Sequence, residues 1–164
     1  MLTRSMPAAR IPRWTVEDMP LLDGWPEGFR YEASDGVLEV SPPPELVHDD
    51  IAELLQRQLM PQLPAGWQVS LARPVVTTHG WRMPDLLVRR YPSREPAGAR
   101  AFPSAEVLLV VEVESPSDLR RDRVVKHQEY AEAGIAAYWR IEQQPALAVV
   151  PTRCPAAGTN SSCD

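Results

Sequence analysis

Three acids and one amine are the residues in this chain best placed to do chemistry. Asp85 follows Pro84 at the head of the apolar run Leu86-Leu87-Val88, and Glu112 and Glu114 close the run that begins at Val107. Lys126 is the single lysine among seventeen cationic residues; the other sixteen are arginine. Side chains alternate along a strand, so Glu112 and Glu114 are expected on one face and Val111 and Val113 on the other. Carboxylates at the end of an apolar strand are costly unless exposed, paired or bound to metal. If the two runs are neighbouring strands, Asp85 can meet Glu112. Hard oxygen ligands of this kind suit Mg2+ or Mn2+. Such an ion can activate water and neutralise charge on a phosphodiester. A compact, flexible ammonium such as Lys126 beside that water would orient it and stabilise the developing charge.

Each piece has a bland reading as well. Pro-Asp is a common turn dipeptide, and Glu-x-Glu at a strand end is usually a solvated rim. Asp122 and Lys126 have the i,i+4 spacing of a surface helix pair worth ~0.3–0.5 kcal/mol. A lone lysine is also what a compositionally biased genome leaves by chance. Taken singly the bland readings are preferred; taken together, in strand–strand–helix order, the functional one is.

The elements that must position these groups can be read from periodicity. Thr15 can cap a short helix whose first turn carries Glu17 and Asp18, and Pro20 limits its length. Phe29 to Val40 reads as a hairpin turning at Ser34-Asp35-Gly36. Val47, Ile51, Leu54, Leu55 and Leu59 form one apolar face of a helix from about Glu45 to Met60. Trp67 to Thr77 reads as a strand with an edge position or bulge at Pro74. Thr78-His79-Gly80 turns the chain into a returning strand, Arg82 to Val88. Tyr91 to Pro103 reads as a loop, and Glu106 to Glu114 is the strongest strand. A helix follows from about Leu119 to Ala133, with Gly134 as its stop, and Ala136 to Ile141 is a last strand. The expected fold is α/β, a mixed central sheet with helices on its faces.

At 164 residues the chain fits one domain. Its expected division is a flexible arm over 1–13, a folded domain over 14–142 and a disordered tail over 143–164. No apolar run approaches the ~20 residues of a membrane helix, and residues 1–13 lack the apolar core of a secretory leader. Cytoplasmic residence is the expectation. Cys154 and Cys163 have no histidine or further cysteine nearby and do not make a zinc set. The net charge of −5 argues against indiscriminate nucleic-acid binding. Two arginine-rich segments, Arg82 to Arg100 and Arg120 to Arg123, gain interest only if they flank a site that handles phosphate.

A set of short motifs then resembles a known family. They are Trp14-Thr15-Val16-Glu17-Asp18, Arg30-Tyr31-Glu32, Asp35-Gly36-Val37-Leu38, and Ser41-Pro42-Pro43 with His48. They continue with Met83-Pro84-Asp85-Leu86-Leu87-Val88, Val111-Glu112-Val113-Glu114-Ser115-Pro116-Ser117 and Arg121-Asp122-Arg123-Val124-Val125-Lys126. Tyr130-Ala131-Glu132-Ala133-Gly134 and Tyr138-Trp139 complete them. Over roughly 14–141 the chain resembles the Uma-two family of restriction-type endonucleases, in the PD-(D/E)xK nuclease superfamily. The resemblance implies a restriction-endonuclease-like fold. It implies Asp85 and Glu112 as metal ligands, with the Val113 carbonyl as a third, and Lys126 as the superfamily lysine. That lysine usually sits two positions after the acid, where this chain has Glu114. The resemblance further makes Glu32 an accessory carboxylate and lets His48 line the site; His48 reads equally well as a helix-start residue. Family members usually continue past Tyr138-Trp139 with further sheet elements. Pro145 to Asp164 shows no convincing strand, so a C-terminally shortened fold is expected.

These readings combine into a Mg2+- or Mn2+-dependent endonuclease acting on DNA. Arg89, Arg90, Arg120, Arg121 and Arg123 are the candidate contacts to the nucleic-acid backbone. A homodimer is one assembly the resemblance allows. The alternative is a catalytically inactive nucleic-acid-binding or protein-interaction remnant of the same fold.

Overall fold

The computed structural model describes residues 13–94, 96–114, 120–143 and 146–153; at 120–123 and 153 it describes the backbone alone. Residues 1–12 of the expected arm, and 154–164 with both cysteines, lie outside the described residues.

After a 3-10 helix, Val16–Leu22, the hairpin forms as read, with β1 at Arg30–Ser34 and β2 at Val37–Ser41. Its two turn residues, Asp35 (φ 51°) and Gly36 (φ 83°), both take the left-handed backbone that a tight two-residue hairpin demands. Helix α1 spans Leu46–Leu59. Its packed stripe is narrower than the periodicity suggests. Ile51, Leu55 and Leu59 meet the core, whereas Val47 and Leu54 are exposed. His48 and Ala52 complete the inward stripe.

The chain from Trp67 to Val88 departs from the expected long meander. It makes four short strands, β3 (Trp67–Leu71), β4 (Val75–Thr77), β5 (Gly80–Arg82) and β6 (Leu86–Arg90). Two prolines explain the breaks. Pro74 and Pro84 cannot donate to a ladder, and the chain changes sheet at each of them. At the first break Ala72 adopts φ 45°, and its N–H donates to the Asp85 carbonyl at 2.9 Å. Strand β7 is Val107–Val113, α2 is Arg120–Glu132 and β8 is Ala137–Glu142. Gly134, at φ 80°, stops α2 as expected.

The expected disordered tail needs correction over Ala148–Arg153. Ala148–Arg153 forms β9, antiparallel to β8 from Ala137↔Arg153 to Glu142↔Ala148. Pro151 hid this strand from a sequence reading. On the outermost strand its missing N–H costs no ladder bond on the open side.

Among the described residues the strands make two sheets, ordered β2-β1-β5-β4 and β3-β6-β7-β8-β9. Within the larger sheet β7 and β8 are parallel, joined by the crossover that contains α2, and the other pairs are antiparallel. Alternation along β6 and β7 divides its core. Leu86, Val88, Leu109, Val111 and Val113 pack with α1, while Leu87 and Val110 pack with Tyr130 of α2 and with Tyr138. The smaller sheet buries Ala33 and Trp81 against Met19. Gly80 belongs there because a Cβ would sit 2.4 Å from the Ala33 carbonyl oxygen. Among the described residues no helix is long and apolar enough to cross a membrane.

Candidate active site

The stretch Met83-Pro84-Asp85 carries the chain from β5 of the smaller sheet to β6 of the larger one. Around this seam four elements deliver the polar groups. Strand β1 contributes Arg30 and Glu32, which are two apart and so share a face. Strand β7 contributes Glu112, which lies one ladder position past the Leu86↔Val111 pair, across from Asp85. Helix α1 contributes His48, and α2 contributes Lys126 and Tyr130. Glu32, His48, Asp85 and Glu112 are all buried. The three sequence-derived residues Asp85, Glu112 and Lys126 therefore gather at one place.

Asp85 is held from three sides. Its Oδ2 accepts the Val113 N–H at 2.6 Å and lies 3.1 Å from His48 Nε2. Its Oδ1 is in ion-pair contact with Arg30 Nη2, yet takes no well-directed hydrogen bond. Burial alone would raise the Asp85 pKa. His48, Arg30 and the Val113 N–H outweigh that and hold it below the ordinary carboxylate range. The same contact raises His48 against the opposing pull of burial.

Glu112 has the opposite balance. Burial pushes its pKa up to about 7, and the nearby Asp85 and Glu32 charges push the same way against the help of Lys126 and Tyr130. Its Oε1 accepts the Tyr130 hydroxyl at 2.7 Å and lies 3.6 Å from Lys126 Nζ. Of the two facing acids, Asp85 keeps its charge and Glu112 is the one that takes up a proton more readily. Lys126 also reaches Glu32, with Nζ 3.1 Å from Oε2. Burial disfavours its charge, but Glu112 and Glu32 more than compensate, and its pKa rises.

Behind Glu32 stands a second layer. Met83 donates its N–H to Glu32 Oε1 at 2.7 Å. Arg82, fully buried, forks onto Glu129 of α2 at 2.7 and 2.8 Å and reaches Glu39 at 2.5 Å. Glu32 and Glu39 are cross-strand partners, so the Arg82 guanidinium sits between two like charges that would otherwise repel.

Other expected residues lie elsewhere. Glu114 falls one residue past β7; its N–H donates to the Ile141 carbonyl and its carboxylate pairs with Arg140 at 2.7 Å. Arg89 and Arg90 close β6 at the end opposite Asp85. Arg89 turns inward, bonding Ser70, Gln68 and the Arg90 carbonyl while stacking over Phe102 at 4.2 Å. Arg90 lies over Trp67 at 5.0 Å. The side chains of Arg120, Arg121 and Arg123 lie outside the described residues. Two residues given no role from sequence, Arg30 and Tyr130, touch the site directly. The available signal was the shared face of Arg30 and Glu32.

The sequence pattern of the Uma2 family, described as "putative restriction endonuclease", matches residues 16–153. The chain belongs to the Uma2 family. None of the curated proteins matches it. Among solved structures, a putative nuclease of DUF820 from Anabaena variabilis ATCC 29413 superposes with a TM-score of 0.61 at 14% identity, covering 83% of each chain. The Uma2 chain thus has the restriction-endonuclease-like α/β fold expected from its sequence, and its family points to a nuclease.

The donor chemistry of this Uma2 site can be tested against a divalent cation. Among the described residues no three His, Cys, Asp or Glu side chains are already gathered as a cage. Arg30 and Lys126 instead supply the positive charge between the acids. The site nevertheless suits a cation on two counts. Asp85 Oδ1 is buried and, among the described residues, is met only by the Arg30 guanidinium, and Glu112 resists ionisation because burial and its like-charged neighbours outweigh the cations nearby.

Proposed function

We propose that this Uma2 chain is a metal-dependent endonuclease that hydrolyses phosphodiester bonds in DNA. The observation that carries this reading is the convergence of Asp85, Glu112 and Glu32 with the lone lysine, Lys126, at a buried seam between two sheets. Family membership supplies the reaction class. Asp85 and Glu112 would hold Mg2+ or Mn2+, with the Val113 carbonyl as a further oxygen. Bound there, the ion would supply Lewis-acid activation of water and charge neutralisation at the phosphate.

The chain's own residues do the positioning. The Val113 N–H and His48 fix the Asp85 carboxylate, so one oxygen stays oriented toward the seam. Tyr130 fixes Glu112. Lys126, kept protonated by Glu32 and Glu112, offers N–H donors to the attacking water and to charge developing on the phosphate. Arg120, Arg121 and Arg123, at the start of α2, are the proposed backbone contacts; Arg89 and Arg90, at the end of β6 away from Asp85 and already engaged with Ser70, Gln68 and Trp67, are the weakest of that set.

The test is cleavage of supercoiled and linear DNA with Mg2+ or Mn2+, and with chelator. Wild-type protein is expected to cut only with the ion, and Asp85→Ala and Lys126→Ala to lose at least ~100-fold of the rate. Undiminished cleavage in both variants refutes the assignment.

A further inference from the structure

Among the described residues Arg30 is the cation at the seam with a single ion-pair partner, Asp85, while Glu112 and Glu32 favour its charge from farther off. Lys126 is shared between Glu32 and Glu112, and Arg82 between Glu129, Glu39 and Glu32. The guanidinium of Arg30 goes to Asp85. Its backbone is pinned in the β1–β2 ladder opposite Ser41, so only the side chain is free to move. That side chain is 16% exposed whereas the Asp85 carboxylate is 1% exposed, which leaves Arg30 a route to solvent that Asp85 lacks.

A guanidinium and a divalent cation at Asp85 would compete. Both seek the same buried oxygen, Oδ1, and two positive charges a few ångströms apart repel strongly in a poorly solvated site. Without Arg30, Asp85 would keep His48 as its single ionic partner among the described residues. Asp85 therefore needs Arg30 only where no divalent cation is bound to it.

We infer that Arg30 is an internal counter-ion that neutralises Asp85 in the metal-free protein and must be displaced when a divalent cation binds. This rests on the proposed metal role of Asp85 and Glu112 and adds a regulatory element to it. The chain sets its own threshold for metal through the strength of one ion pair.

The experiment is calorimetric titration of Mn2+ into the full chain, comparing wild type with Arg30→Gln, Arg30→Lys and Asp85→Asn, alongside urea unfolding in chelator and in saturating Mn2+. Arg30→Gln is expected to bind Mn2+ at least about fivefold more tightly than wild type. It should also be less stable than wild type in chelator and recover when Mn2+ is added. Should Arg30→Gln not fold in chelator, Arg30→Lys decides, because a hydrated ammonium replaces the planar guanidinium on Oδ1 and should also bind Mn2+ more tightly than wild type. Asp85→Asn should bind none. Arginine variants that bind equally or more weakly than wild type, or an absence of binding throughout, overturn the inference. DNA cleavage by the same variants tests the nuclease activity independently. Tighter Mn2+ binding without DNA cleavage sinks that reading alone, and Asp85-dependent cleavage with unaltered Mn2+ affinity in the arginine variants sinks this one alone.

Discussion

Lys126 Nζ lies 3.1 Å from Glu32 Oε2, joining helix α2 to the first strand of the smaller sheet. The same ammonium reaches Glu112 on the larger sheet at 3.6 Å. One side chain thus ties together both sheets and the helix that carries it. A chain that otherwise uses arginine keeps, at this point, a compact donor that can address two carboxylates and still face a third partner.

That double role separates two substitutions. Lys126→Met leaves Glu32 and Glu112 buried with one cation fewer and is expected to destabilise the fold by about 3 kcal/mol. Lys126→Arg keeps the charge against Glu32 and should stay within about 1 kcal/mol of wild type, while losing cleavage because a planar fork replaces the rotatable ammonium. Urea unfolding beside the cleavage assay checks both. An Arg variant that cuts at the wild-type rate would show that Lys126 contributes only its charge.

Arg82 and Glu129 form the support behind Glu32, a forked pair in which both residues are almost fully buried. Arg82→Met takes the ion-pair partner from buried Glu129 and one cation from Glu32 and the half-exposed Glu39, and about 3–5 kcal/mol of stability should go with it. Glu129→Gln keeps the shape and the Ser34 contact but removes the charge, and its cost should be smaller. Chemical denaturation of the two variants orders them. Equal and small losses would mean that water reaches the pair and that it supports nothing.

The main elements and the central trio could be read from sequence because their signals are local. Helical spacing at Ile51, Leu55 and Leu59, the apolar run before Glu112, and the acid–strand–helix order survive any tertiary arrangement. The splitting of the meander does not announce itself, since Pro74 and Pro84 are compatible with a bulge as well as with a change of sheet. Strand β9 was obscured by Pro151, tolerable only because that strand is outermost. Arg30 escaped notice for a different reason. Its spacing puts it on the face of Glu32, but its contact with Asp85 crosses from one sheet to the next, and spacing within β1 does not show that. Conversely, Arg89 looked like a free basic residue, and only its contacts with Ser70, Gln68 and Phe102 show where its donors go.

His79 offers a pH-dependent check on the way α2 is anchored. The imidazole bridges two acids, with Nδ1 2.9 Å from Asp35 in the β1–β2 turn and Nε2 2.7 Å from Glu132 near the end of α2. Glu132 first, then Asp35, raises its pKa to about 9, and both carboxylates are lowered in return. A base whose folded pKa exceeds its unfolded value near 6.5 stabilises fully below about 6.5, and that contribution fades as pH rises through about 9. The depressed carboxylates add the lower limit, since their share is lost as pH falls below the ordinary acid range. His79→Gln should therefore cost up to about 1 kcal/mol at pH 6, as suits a partly exposed pair, and almost nothing at pH 10. Unfolding free energies of both proteins across that range measure the difference, and the NMR titration of the His79 ring should give a midpoint near 9. A midpoint close to 6.5, with a pH-independent cost of the substitution, would mean that the two carboxylates do not hold the ring in solution.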